Sequence, residues 1–490
     1  MNIALVIIFA FLALSIFLGV WAQRGKKMDL EQWSVGGRGF GTIFVFLLMA
    51  GEIYTTFTFL GGSGWAYGKG GPTFYILGYG CLAYIMSYWL LPAIWRYAKE
   101  KKLLSQSDLF VSKYNSQALG VLVSIVGVVA LIPYLVLQLK GLGLIVSEAS
   151  YGSISSTAAI WIGVIAVTVY VMVSGIHGSA WTAVIKDIMI LGVVLFLGIY
   201  LPFHYYGGFQ PMFEAIDHAK PGFLALPASG LSVSWFISTV LMTALGFYMW
   251  PHTFGSIYSA QNEKVFRKNA LIMPIYQLVL LLVFFVGFAA ILQVKGLVGP
   301  AGDLSLLKLS IKTFNPWVVG LIGAAGLLTA IVPGSMIMMS ASTVLAKNVY
   351  KVFVPKTTDQ QVAKLAKNLV PVIAIIALFF TFKGGDTLVT LLLMGYSLVT
   401  QFVPSLILSL TKNNPITKQG AMVGIIVGVA AVAYVTISGS TVGTMFPALP
   451  QWVKDLNVGV VALVINIIAT TIVSAVTKSG TSKNTSERVA

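Results

Sequence analysis

Charge is scarce in this chain. Asp, Glu, Lys and Arg make up 9% of its 490 residues, while 57% are hydrophobic. Soluble domains carry about 25% charged residues, so this much apolar surface cannot be hidden inside one water-facing globule. A single cysteine, Cys81, excludes an internal disulfide framework. The four histidines, His177, His204, His218 and His252, are scattered without metal-ligand spacing. No G-x-x-x-x-G-K-[ST] loop occurs, so no ATP-binding motor of that kind is expected. The nucleophile–base or metal constellation of a membrane enzyme is also lacking, and no enzymatic activity is expected. Even alternation, which a membrane barrel needs, is absent.

Long apolar runs are what the chain has instead. Segments of about 20 residues, enough to cross the hydrocarbon core, recur from end to end. Thirteen spans are expected: 3–22, 40–66, 72–97, 117–147, 155–174, 180–205, 232–257, 269–293, 316–346, 367–383, 386–411, 420–438 and 457–477. The fold class is therefore an all-α polytopic membrane protein. Arg24, Lys26 and Lys27 follow the first apolar run rather than precede it, the order of an N-out first helix and not of a secretory signal. With the N-terminus outside and the C-terminus cytoplasmic, most of the 31 Lys and Arg fall on the inner side, Lys186 among them at the start of the sixth span. Multi-pass insertion in the plasma membrane is expected. The +16 net charge then faces anionic lipid, and nucleic acid is not needed as a partner.

Two spans carry residues that oppose an unbroken helix. The second contains "GEIYTTFTFLGG", with Glu52 and several hydroxyls deep in apolar sequence; the seventh contains "LGFYMWPHTFG", where Gly246 and Pro251 bracket aromatics. Proline removes a backbone donor and glycine loosens the helix. The two spans begin two sets of five, 40–205 and 232–411, which run in opposite senses because five is odd. The segments 3–22 and 420–477 are then additional helices of a single transmembrane domain. Interrupted helices at matching positions of two inverted halves mark secondary transporters, whose sites lie near the midplane.

The same residues resemble the sodium:solute symporter family. "SVGGRGFG" (34–41) is similar to its lead-in to the second helix, "FLGGSGWAYGKG" (59–70) to its glycine-rich segment, "LQLKGLG" (137–143) to its fourth helix, and "STVLAKNVYK" (342–351) to the exit from its ninth. The resemblance implies a LeuT-type fold of two inverted repeats of five helices plus extra helices. "MAGEIYTTFTFLGG", "TAVIKDIMIL" and "MWPHTFGSIYSAQNEKVFRKNA" look most like the monocarboxylate-permease branch. That branch implies lactate, pyruvate or a small amino acid as solute. The family's sodium site falls on the carbonyls of Gly51, Tyr54 and Thr329 and on a hydroxyl pair at Val332 and Pro333. Neither of the last two has a hydroxyl, and Thr329 and Ser335 are the nearest substitutes.

Glu52 is the leading ion-coupling candidate, as a proton carrier or as a partner for a cation, since an ionisable residue inside a membrane points to function. The alternative is a buried carboxylate paired for packing. Thr55, Thr56, Phe57, Gln138, Tyr248 and Trp250 are candidate solute contacts, though aromatic residues in membrane helices usually just pack. Lys140 either draws a solute carboxylate or snorkels to the outer headgroups. His252 is a proton relay or a structural hydrogen bonder. Lys186 and Asp187 are expected as a cytoplasmic-edge ion pair or gate.

The expected function is cation-coupled uptake of a small carboxylate-bearing solute by alternating access. It needs no cofactor beyond sodium or a proton as coupling ion, and its partners are the solute, that cation and the lipid bilayer, with no obligate protein partner evident. Proline, pantothenate or acetate are alternative solutes, and a proton-coupled or uncoupled carrier is an alternative mode. A channel would need a continuous ring of selectivity groups.

Overall fold

A computed structural model describes residues 2–486, with side chains through Lys478. The described residues are helical, with short connections and one isolated bridge between Phe40 and Ala260. Ten helices are long and apolar enough to cross a membrane, and the bent pair Val233–Met249 and Thr253–Ser259 adds an eleventh. Thirteen crossings are reached only if Ser156–Tyr206 counts as two spans and Thr42–Lys69 as one.

The Pro316–Val344 helix is the centre of the bundle, buried along nearly its whole length. It packs against Ile3–Ala22, Gln117–Ala149 and Ser156–Tyr206. Outward-facing residues such as Trp89, Ile188, Leu271, Ile275 and Phe379 are exposed, and they form the apolar surface that acyl chains would cover. Lys418–Ser438 packs on Val458–Ser486 at the flank.

The expected fifth and sixth spans form one 51-residue helix, Ser156–Tyr206, about 75 Å long if straight. It turns sharply at Gly175, where φ is 55° and ψ −156°, a conformation only glycine adopts without strain. A Cβ there would also strike Trp33, 2.5 Å away. The sixth span therefore continues directly from the fifth and does not restart at 180, which carries Lys186 about three turns beyond the bend.

Both expected interruptions are present. Thr42–Gly51 ends at Glu52, and the chain resumes as a π-turn at Phe57–Gly62 followed by Ser63–Lys69. The hydroxyls hold the break open. Thr58 Oγ1 donates to the Ile53 carbonyl at 2.7 Å, and Thr55 Oγ1 accepts from Phe57 N at 3.1 Å. Such side chains compete with helical backbone bonding. In the second half Val233–Gly246 passes into a short 3₁₀ turn, Phe247–Met249, and Trp250 is extended at ψ 134°. Trp250 precedes Pro251, whose ring disfavours the helical conformation for the residue before it. The helix resumes at Thr253, bent by 53°.

Candidate functional site

The two interruptions meet. Ser256 Oγ, one turn past the second break, donates to Glu52 Oε1 at 2.9 Å, at the first break. Tyr134 of the Gln117–Ala149 helix donates from its hydroxyl to the Glu52 carbonyl at 3.0 Å. Its ring lies 5.0 Å from Trp250 and 5.4 Å from His252. Glu52, Trp250 and His252 thus belong to one cluster, joined by two residues, Ser256 and Tyr134, that the sequence did not single out. Their signal was present but weak: each is a polar residue in an apolar span close to a proline, Pro133 or Pro251.

Several polar atoms of the cluster have no partner. Among the described residues Glu52 Oε2, Tyr248 Oη and His252 Nδ1 are buried and make no hydrogen bond. Buried polar groups are overwhelmingly satisfied in folded proteins, and an orphan acceptor or donor costs about 1–3 kcal/mol. One helix away, Thr56 Oγ1 donates to Gln138 Oε1 at 2.5 Å, leaving Gln138 Nε2 as a buried donor with no acceptor. A Cβ on Gly141 would sit 2.7 Å from Thr56, so the small residue lets the two segments touch. Phe57 is buried and packs within the π-turn.

The cation position expected from the family resemblance is only partly built. Outside regular helical bonding, no described donor reaches the Gly51 or Tyr54 carbonyl. Pro333 lacks the N–H that would bond to the residue four back, so it frees the Thr329 carbonyl. The hydroxyls nearest the missing pair are engaged elsewhere. Thr329 Oγ1 donates to Gly326 O at 2.6 Å, and Ser335 Oγ donates to Val332 O at 2.7 Å and shares a 2.7 Å hydrogen bond with Ser179. Hard cations need a shell of oxygen ligands, and this donor set falls short of one for sodium. Among the described residues no group of three or more His, Cys, Asp or Glu could hold a metal ion.

One expectation needs correction. Lys186 and Asp187 do form an ion pair, at 2.9 Å, but not at the cytoplasmic edge. Their relative exposures are 0% and 5%, and Lys186 Nζ lies 3.1 Å from where a Cβ on Gly51 would stand. Continuation of the helix through Gly175 moves them inward. Of the two directions the sequence left open to Lys140, the structure takes it away from Gln138 and Thr56. Its ammonium donates to the Asp386 carbonyl, in the connection before Leu388–Val399.

The profile of the sodium:solute symporter family matches residues 33–428, and the chain belongs to that family. It is 73% identical to "Uncharacterized symporter YhjB" of Bacillus subtilis (strain 168), over 98% of this chain and 99% of that protein. It is 28% identical to a "Monocarboxylate transport permease protein" of Rhizobium johnstonii, over 84% of each. Its fold matches that of a Na+-coupled sialic acid symporter in a substrate-bound outward-open state, with a TM-score of 0.79 and 18% identity, covering 97% of this chain and 98% of that one. The protein is a multi-pass membrane transporter of LeuT-type fold, a cation-coupled solute symporter and not an enzyme.

Proposed function

We propose that this symporter takes up a small monocarboxylate, such as lactate or pyruvate, or a small amino acid. The observation that carries this reading is the pairing of opposite vacancies at the first interrupted span. Gln138 Nε2 is a buried donor without an acceptor, and Glu52 Oε2 a buried acceptor without a donor. A solute carboxylate supplies acceptors to the first. A proton, an α-hydroxyl or an ammonium supplies a donor to the second. The 28% identical monocarboxylate permease supports the same solute class.

In this reading 40–205 and 232–411 are the inverted repeats, with the N-terminus outside the plasma membrane. One bundle rocks against the other around the two breaks, and access alternates between the two sides. Thr55, Thr56, Phe57, Tyr248 and Trp250 shape the cavity that opens between them.

Uptake of labelled lactate, pyruvate and alanine into proteoliposomes tests the proposal. Short carboxylates should displace one another, and their amides should not. Preference for a sugar or another uncharged solute would refute it.

A further inference from the structure

A cavity of about 570 Å³ lies where the end of the Tyr75–Glu100 helix, the Gln106–Tyr114 helix and the chain leaving the Pro316–Val344 helix come together. It shares no residue with the two interrupted spans. Its walls hold four lysines, Lys101, Lys102, Lys347 and Lys351, against one carboxylate, Asp108. Gln117 also lines it and is the first residue of the Gln117–Ala149 helix, so the positive end of that helix dipole adds to the lysine field. Leu103, Val352 and Pro355 supply apolar wall. In the orientation proposed above, this face is cytoplasmic.

Lys347 is paired with Asp108, but the other three ammoniums are held weakly or not at all. Lys101 pairs with Glu100 and Lys351 with Asp359, and both carboxylates are largely exposed; ion pairs open to water contribute little. Lys102 makes no ion pair among the described residues. Its backbone is also costly for a lysine, with φ at 52°. Leu103 N bonds to Ala98 O at 2.9 Å and Lys102 N to Lys99 O at 3.3 Å, which closes the helix in a motif whose left-handed position is usually glycine. A side chain there carries a steric cost, yet the position sets an unpaired ammonium at the cavity. The segment on the opposite wall is mixed. Tyr350, Phe353 and Val354 are exposed, interleaved with the lining residues Lys351, Val352 and Pro355. Such a segment meets headgroups with its charge and acyl chains with its apolar side chains.

We propose that this cavity is an anion site that takes a phosphate group, as carried by the headgroup of an anionic phospholipid. Lysines bind phosphate as point charges, and basic pockets between membrane-spanning helices on the cytoplasmic side recognise such headgroups. The cavity falls in the size range of small-molecule sites, with room for glycerol carbons against Leu103, Val352 and Pro355. A soluble phosphate ester has the same chemistry; the exposed Tyr350 and Phe353 favour the lipid. Lys102 follows one helix and Lys351 follows another, so the bound anion joins the ends of Tyr75–Glu100 and Pro316–Val344. The proposal rests on the orientation in the reading above and on none of its solute chemistry.

The test uses the purified full-length protein and needs no solute. Labelled phosphatidylglycerol should bind saturably, and less tightly as salt rises. Phosphatidylcholine, whose headgroup has no net charge, should not compete. Lys102→Gly relieves the left-handed strain and removes the charge, so it should not lower Tm but should weaken lipid binding about fivefold; adding Lys351→Gln should bring the loss to roughly 25-fold. Lys364→Gln with Lys418→Gln removes the same charge from exposed positions outside the cavity and should leave binding unchanged. Inorganic phosphate distinguishes the sources. If it leaves the lipid bound, the headgroup is the ligand; if it displaces the lipid at equal concentration, a soluble phosphate is, and either result upholds the site. Equal binding of phosphatidylcholine, undiminished affinity in Lys102→Gly with Lys351→Gln, or an equal loss in Lys364→Gln with Lys418→Gln overturns it. The solute assignment is decided separately, by uptake.

Discussion

Ser256 Oγ donates to Glu52 Oε1 at 2.9 Å, and this one bond joins the two interrupted helices across the centre of the bundle. It leaves Oε2 of the same carboxylate without a partner. The two oxygens therefore differ, one anchored by Ser256 and one without a partner. Glu52→Gln mimics the protonated acid and removes the exchangeable proton. It should abolish gradient-driven accumulation while preserving exchange of solute against solute, because binding and rocking remain possible. Ser256→Ala removes only the anchor, about 1.5–3 kcal/mol for a hydrogen bond to a charged group, and should weaken both accumulation and exchange. Wild-type accumulation in the Gln variant would make Glu52 a structural residue.

The second break depends on close approach as well as on proline. A Cβ on Gly246 would lie 2.3 Å from Thr400 Oγ1 and 3.1 Å from the Tyr396 ring. Gly246→Leu should overpack this contact by roughly 1–3 kcal/mol and abolish transport while the protein still inserts in the membrane. Paired Thr400→Ala should restore part of the activity by making room. Unchanged uptake kinetics in the single variant would mean that motion about this break is not needed.

Much of this was legible in the sequence, for physical reasons that vary by residue. Glycine, proline and clustered threonines act on the backbone locally, so both breaks could be read from Gly246, Pro251 and Thr55–Thr58. Glu52 stood out because a carboxylate in an apolar run is expensive wherever the run folds. The depth of Lys186 could not be read the same way. It depends on Gly175 turning one helix into the next without a loop, and adjacent Lys and Asp look alike at an edge and in a core. Ser256 and Tyr134 acquire their roles only when distant helices pack. For Lys140 the sequence allowed two directions, and the structure takes it toward Asp386.

A latch on the Gln106–Tyr114 helix offers a stability test. Asp108 accepts hydrogen bonds from Leu104 N at 2.8 Å, Ser105 N at 3.1 Å and Asn348 Nδ2 at 2.7 Å, and it pairs with Lys347. It ties the Gln106–Tyr114 helix to the π-turn Leu345–Tyr350. Burial would raise its pKa, but Lys347 and these donors prevail and hold the carboxyl below its ordinary value. Asp108→Ala should lower Tm by the equivalent of roughly 2 kcal/mol, the cost of losing a part-buried ion pair together with its hydrogen bonds. The nearby Lys351–Asp359 pair, with Asp359 almost fully exposed, should contribute little when cut by Asp359→Ala. Equal shifts in the two variants would remove the case for a latch.

Asp303 gives the pH dependence. It lies in the Gly299–Leu304 turn, outside the membrane-spanning helices, with 1% relative exposure. Its Oδ2 accepts from Leu388 N at 3.0 Å at the start of Leu388–Val399, and a Cβ on Gly64 would be 2.8 Å from its Oδ1. Burial pushes the carboxyl up to about 6, against the opposing pull of the Leu388 N–H and of Lys140. Because the folded-state value is raised, the protonated form favours the fold. That stabilisation is complete below the ordinary carboxylate value near 3.9 and is lost as pH rises through about 6. The shift amounts to on the order of 2–3 kcal/mol. Thermal unfolding measured between about pH 4 and pH 7 should show the wild-type Tm falling relative to Asp303→Asn, which keeps an acceptor for Leu388 N but cannot ionise. Lys140→Met removes a cation that favours the ionised form, so it should move the midpoint of that fall to higher pH. Parallel Tm profiles for wild type and Asp303→Asn would show that Asp303 keeps its ordinary ionisation.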